Sequence, residues 1–348
     1  MTGVTDRAGT FLDFYDFHLR HRAHPGGVYY LFPYLRDRYG WDDEAALWFA
    51  FINGNTQNPV TSLILHRRAP SPRHADRLLD FWAEHRERLA WDTDRRYHRT
   101  KLDTSVVGYL AQTGGALAPY WRARADDWAA CWAAATSIPT FGRLSAWSFI
   151  EYLRIMGYGA DAADLMLGDL SGSRSHRNGL AIVSGHPEWD WHKSNPAFPG
   201  TSCYTPDVLG YLGQQAETLL AYARERAAGT DYAGDVSRLT LESALCTYKS
   251  WHRPNRRYPN VYNDMLYGRI KAAEQAWPGE DLDVFWEARA DRLPRPLRLE
   301  DNPLDPGVHP IKQNHYLNTG EPVVMYAGSP RESGFDRDVR AGAYGRFR

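Results

Sequence analysis

The stretch from Thr240 to Asp264, TLESALCTYKSWHRPNRRYPNVYND, constrains the fold more than any other part of the chain. Leu241, Leu245 and Tyr248 fall at helical spacing with no Gly or Pro before Trp251, and Glu242, Cys246 and Lys249 share the adjacent face, which predicts a helix. Pro254 and Pro259 then hold Arg253 and Tyr258 in extended backbone, so 251–259 reads as a loop between two helices. A second helix starts near Asn260 and places Met265, Leu266, Ile270 and Ala273 on its apolar side. Between them lie Lys249, Arg253, Arg256 and Arg257, a cationic elbow flanked by amides and phenols and suited to an anion. A solvated loop is the competing reading. Against it stands the crowding of Glu242, Tyr248, Lys249, Tyr258, Asn260, Tyr262, Asn263 and Asp264 within 23 residues.

Helical periodicity recurs along the chain, over 10–22, 28–39, 43–54, 72–90, 102–112, 119–135, 143–156, 206–228, 236–251, 260–276 and 280–291. Strand signals are confined to Ala181–Val183 and Pro322–Tyr326. The expected architecture is mainly α, a compact multi-helix array with long irregular loops and few strands. It divides into an N-terminal helical region (1–140), a helical catalytic region (141–293) and a C-terminal arm (294–348), unless all of it is one compact domain.

A chain of 348 residues buries enough core to need no staples, and Cys131, Cys203 and Cys246 form no CxxC pair or disulfide framework. A reducing, cytoplasmic setting is expected, with no signal peptide and no run of apolar residues long enough to span a membrane. The 41 cations balance 42 anions, so contact with nucleic acid has to be local. The 13 Trp and 21 Tyr serve cores and base stacking equally well.

Five further stretches bear on function. In Gly168–Asp190, Ser171, Gly172, Ser173, Ser175 and Gly179 give a pliant backbone, and Arg174, His176 and Arg177 add charge: a phosphate cradle, or an ordinary polar loop. NGNTQNP concentrates Asn53, Asn55, Thr56, Gln57 and Asn58, which read either as a base-edge or amino-acid reader or as a helix C-cap followed by the next N-cap. WDTDRRYHRTK reads as a solvated charged surface. Arg143, Trp147, Glu151 and Arg154 are spaced as a salt-bridge ladder, with Glu151 a reserve catalytic candidate. The spacing of His186, Glu188, Asp190 and His192 fits no metal motif, so neither a metal nor a cofactor is expected.

At ESALCTYKSWHRPNRRYPNVYNDM the chain resembles the phage amino acid:DNA transferases, which build hypermodified thymines, and the related α-glutamyl/putrescinyl-thymine pyrophosphorylases. GRLSAWSFIEYLRIMG and SGSRSHRNGL are similar too, so the resemblance covers roughly 142–273. It implies a helical fold distantly akin to DNA glycosylases, although no LPGVGxxTA-like hairpin is present. It also implies a DNA substrate whose 5-hydroxymethyluracil has been phosphorylated, and a free amino acid, with glycine as the candidate, whose amine displaces phosphate or pyrophosphate. A phage enzyme of this kind would work in the cytoplasm of an infected bacterium.

That chemistry needs cations and hydrogen-bond donors where negative charge collects, with Ser171, Ser173, Arg174, Arg177, Arg253, Arg256 and Arg257 as the phosphate and DNA contacts. It needs a base to take the ammonium proton, with Glu242 or Asp264 as base and Lys249 as a point charge. Base or amino-acid recognition falls to Asn53, Asn55, Tyr258, Asn260, Tyr262 and Asn263. Two other readings stay open: a glycosylase-like hydrolase of a modified base, and a non-enzymatic module that binds modified DNA.

Overall fold

The computed structural model describes residues 6–20, 22, 27–92, 95–190, 200–251 and 265–292. They form fifteen α-helices, numbered α1 to α15 in chain order, with no strand among the described residues. The mainly helical array expected from the periodicity is the fold. Ala181–Val183, read above as a strand signal, belongs to α11 (Arg174–Val183), a helix that the sequence reading took for a loop. A short apolar run looks the same in a strand and in a buried helix, and here packing decides. The helices group into two units, one from 1–27, 164–265 and 292–348, the other from 28–163 and 266–291, each with its own core.

The second unit is built around α3 (Asp43–Thr56), in which every residue from Ala46 to Thr56 is buried. Its start follows capping rules: Asp42 accepts from the Ala45 amide at 2.8 Å, and Asp43 and Glu44 face the positive end of the helix dipole. Glu44 also receives the amides of Leu117 (2.9 Å) and Ala118 (2.8 Å), closing the first turn of α8 (Leu117–Arg122). At the other end Gln57 turns left-handed, Asn58 caps Val60 and Thr61, and Pro59 opens α4 (Pro59–Arg68), the cap-to-cap arrangement weighed for NGNTQNP. The single helix read over 119–135 is two, α8 and α9 (Trp128–Thr136), because Asp127 leaves the helical path and caps Ala130.

The first unit holds α1 (Asp6–Arg20), α11, α12 (Pro206–Ala227) and α13 (Arg238–Trp251). Phe11 and Phe14 of α1 each meet the Tyr248 ring of α13 at 5.2 Å, and Tyr15 hydrogen-bonds Thr240 at 2.6 Å. α12 lays Leu212, Ala216, Leu219, Leu220 and Ala223 into the same core, a stripe at three- and four-residue spacing. α11 and α13 touch through backbone: a Cβ on Gly179 would sit 2.2 Å from the Leu245 carbonyl oxygen, so only a bare glycine allows the crossing. No helix among the described residues is long and apolar enough to cross a membrane.

Candidate functional site

The close crossing at Gly179 brings two ionisable side chains together about one turn away. Nδ1 of His176 on α11 lies 2.8 Å from Oε1 of Glu242 on α13. Nε2 of the same ring lies 2.8 Å from the Leu165 carbonyl, which can only accept, so Nε2 carries a proton. The Nδ1–Oε1 contact ties the buried ring to a carboxyl group on its outer side. His176 is 1 % exposed, whereas the Glu242 side chain keeps 16 % of its surface. A carboxylate tied inside to a buried histidine and open outside can take up or release a proton.

The serine/glycine turn before α11 is organised from within. The Asp169 carboxylate accepts from the Ser171 amide (3.2 Å), the Ser171 hydroxyl (2.9 Å) and the Gly172 amide (2.9 Å). These are the N–H groups that a phosphate cradle would use. Ser173 is buried and donates its hydroxyl to the Met166 carbonyl at 2.6 Å. Arg177 is buried as well: Nη1 donates to the carbonyls of Leu167 (3.0 Å) and Asp169 (3.1 Å), Nη2 to that of Leu170 (3.0 Å). Its guanidinium carbon sits 4.4 Å from the Tyr204 ring centroid, and Nε has no partner among the described residues. Arg177 therefore fixes the 167–170 loop, and Arg174 is the exposed cation of this turn.

Lys249 lies on α13 about two turns beyond Glu242, on the same side of the helix by its seven-residue spacing. Arg253, Arg256, Arg257, Tyr258, Asn260, Tyr262, Asn263 and Asp264 lie outside the described residues.

Asn53 and Asn55 belong to the other unit and turn inward, at 1 % and 0 % exposure. Asn53 Oδ1 accepts from Ser62 (3.1 Å), and Asn55 donates to the Phe51 carbonyl (3.1 Å) and meets His98 Nδ1 at 3.3 Å. Here the structure corrects the solvated reading of WDTDRRYHRTK, since both Arg95 and His98 are buried. Arg95 Nε donates to the Gly54 carbonyl at 3.1 Å, and His98 Nε2 meets Ser145 at 3.0 Å. Burial first, and Arg95 second, hold the His98 pKa down to about 4, so the ring is neutral at ordinary pH. Nearby on the chain, Asp92 pairs with Arg269 of α14 (Met265–Ala276) at 2.7 Å. Glu151 of α10 (Arg143–Ile155) is buried and accepts from the Tyr29 hydroxyl at 3.0 Å. Sequence reading missed Arg95, His98 and Asp92 because charge density alone says surface. The three-residue step from Arg95 to His98, and from Asp92 to Arg95, was the available signal for a shared inner face.

A family model described as amino acid:DNA transferase matches residues 33–257, a span that runs through both units. A serinyltransferase of Salmonella phage ViI is 29 % identical over 301 residues, covering 81 % of this chain and 72 % of the relative. No solved structure matches.

Proposed function

Since the chain belongs to the amino acid:DNA transferase family, we propose that it joins a free amino acid, through its amine, to the phosphate-activated 5-hydroxymethyl group of a uracil in DNA. The amine nitrogen bonds to the methylene carbon, the C–O bond breaks, and phosphate or pyrophosphate leaves with the electron pair. An ammonium has no lone pair to attack with, so its proton has to go to a base. In this reading Glu242 takes it, with His176 behind it to hold or share the charge, and the half-open pair at 2.8 Å is the observation that carries the assignment. Lys249 and Arg174 sit on the same two helices and supply positive charge toward the leaving group. Arg253, Arg256 and Arg257 hold the DNA phosphates, while Tyr258 and Tyr262 stack on an extruded base and Asn260 and Asn263 read its edge. Serine is the first candidate amino acid, from the similarity to a serinyltransferase, and glycine the second.

The test is incubation of the protein with DNA carrying phosphorylated 5-hydroxymethyluracil and each amino acid in turn, followed by digestion and nucleoside mass analysis. The expected product is a nucleoside in which the amino acid, bound through its nitrogen, replaces the hydroxyl of 5-hydroxymethyldeoxyuridine, heavier than that nucleoside by the amino acid less one water. A free base with an abasic site would replace this reading with hydrolysis, and salt-sensitive binding without any product would replace it with a binding module.

A further inference from the structure

The turn over residues 164–173, which leads into α11, is fastened along its length. Nε2 of His176 holds the Leu165 carbonyl, the Ser173 hydroxyl holds that of Met166, and Arg177 holds those of Leu167, Asp169 and Leu170. The Asp169 amide closes on the Met166 carbonyl at 3.0 Å, and the Asp169 carbonyl receives the Ser173 amide at 2.9 Å. Ser173, His176 and Arg177 are each no more than 1 % exposed, so the clamp works from inside the unit. Met166 is held at a φ of 51°, a left-handed conformation that a side chain keeps only where its surroundings over-determine it. Surface loops are usually left mobile, since ordering them costs conformational entropy.

What this stiff turn carries is Leu170, 37 % exposed. One exposed leucine is ordinary in itself. Of the five exposed large hydrophobics among the described residues, however, Leu170 alone belongs to the unit that holds Glu242; Tyr39, Tyr97, Val107 and Leu144 lie within 28–163. Its carbonyl receives Arg177 Nη2 at 3.0 Å, which ties it to the residue after His176. Exposed Ser171 and Gly172 follow, then exposed Arg174: small groups that let a nucleic-acid backbone come close, and a cation for its phosphate. Glu242 itself is recessed, because between Leu239 and Tyr248 of α13 only Glu242 and Cys246 escape burial. A base still stacked in a duplex does not come down to a carboxylate set so deep, so it has to be drawn out, and the stack it leaves has to be held open. Proteins that part a base step do so with an apolar side chain, leucine among them. We propose that Leu170 is such a wedge, entering the base stack of duplex DNA beside the target while Arg174 engages a phosphate. A wedge on a mobile loop would fold away from the stack, and the clamp of Ser173, His176 and Arg177 prevents that. The inference rests on the transferase reading above and adds how the target base is brought to Glu242.

The test uses the full chain and a duplex in which 2-aminopurine neighbours the phosphorylated 5-hydroxymethyluracil. That base brightens when its stacking neighbour departs, so fluorescence without amino acid reads extrusion alone. Transfer is measured on the same duplex and on one with an abasic site opposite the target, where no base pair has to be broken. In Leu170→Ala the fluorescence rise should be largely lost and kcat/KM on the paired duplex should fall about tenfold, with the rate on the abasic-site duplex near the parent's. Leu170→Met, which keeps an apolar wedge, should restore both. The bond from Arg177 goes to the backbone carbonyl, so either substitution leaves the turn its clamp. Parent-like fluorescence and paired-duplex rate in Leu170→Ala, or an equal loss on both duplexes, would overturn the wedge and leave the transferase standing. A Leu170-dependent fluorescence rise in a chain that attaches no amino acid to either duplex would keep the wedge and overturn the transferase.

Discussion

Two polar clusters, one in each unit, are closed off from water to different degrees. Between 28 and 163, Arg95, His98, Asn53 and Asn55 bond to carbonyls, hydroxyls and each other, and none reaches solvent. In the other unit, His176 is as deeply buried, but its partner Glu242 remains open on one side. A closed polar network fixes one arrangement of a core and has no exit for a proton. A half-open pair gives up some of that fixity and gains a route to a substrate. The same residue types therefore do different work according to whether the outermost member meets water.

Acid should separate the two most sharply. Burial holds the pKa of both His66 and His98 down to about 4 from the ordinary 6.5, so the unfolded chain takes up protons there before the folded one. Stability from these rings is complete above about 6.5 and is lost as pH falls through 4, by roughly 3 kcal/mol for each ring at pH 4. Denaturant melts at pH 7 and pH 4.5, followed by hydrogen exchange, should show the unit holding both rings weakening more than the other.

Gly179→Val comes next. Its side chain would meet the Leu245 backbone, which cannot rotate away, so a loss of about 4 kcal/mol and a lower Tm are expected. Gly54→Ala is the contrast: its Cβ would sit 3.0 Å from the edge of the Phe141 ring, which can yield, and a loss nearer about 1 kcal/mol should follow. Equal losses would show that backbone contact at Gly179 is not what sets the α11–α13 crossing.

Glu242→Gln should lower transfer about a hundredfold or more, roughly 3 kcal/mol of barrier, with the circular dichroism melt little changed. Full activity in this variant would remove the pair from the chemistry. A smaller effect than that of Gly179→Val is expected from Arg95→Met, about 2 kcal/mol of stability as the Gly54 carbonyl and Ser148 hydroxyl lose a donor, without a matching loss of turnover at saturating substrate. A large fall in turnover there would mean that the closed network also takes part in catalysis.

Much of the fold was legible because helical spacing and caps agree: α2 (Val28–Tyr39), α3, α10, α12 and α13 fall within a few residues of their predicted bounds. α11 was not, since Ser-Arg-Ser-His-Arg-Asn-Gly has weak helix propensity and only the α13 contact makes it a helix. The overlooked cue was His176, Leu180 and Val183, four and three residues apart and all buried. In the candidate site, Glu242 could be picked from its helix face, but His176 could not be paired with it. That contact joins positions 66 residues apart and depends on a glycine whose meaning is tertiary. Arg95 and His98 were misjudged for the complementary reason: a run of charges carries no mark of which members turn inward.

The Asp169 carboxylate, seated on the Ser171 and Gly172 amides, makes that turn self-liganded. A tethered anion competes at an effective concentration of order millimolar or above, so a visiting phosphate group gains from those amides only by displacing it. The turn is thereby biased toward keeping its own shape, with its amides occupied before any other anion arrives.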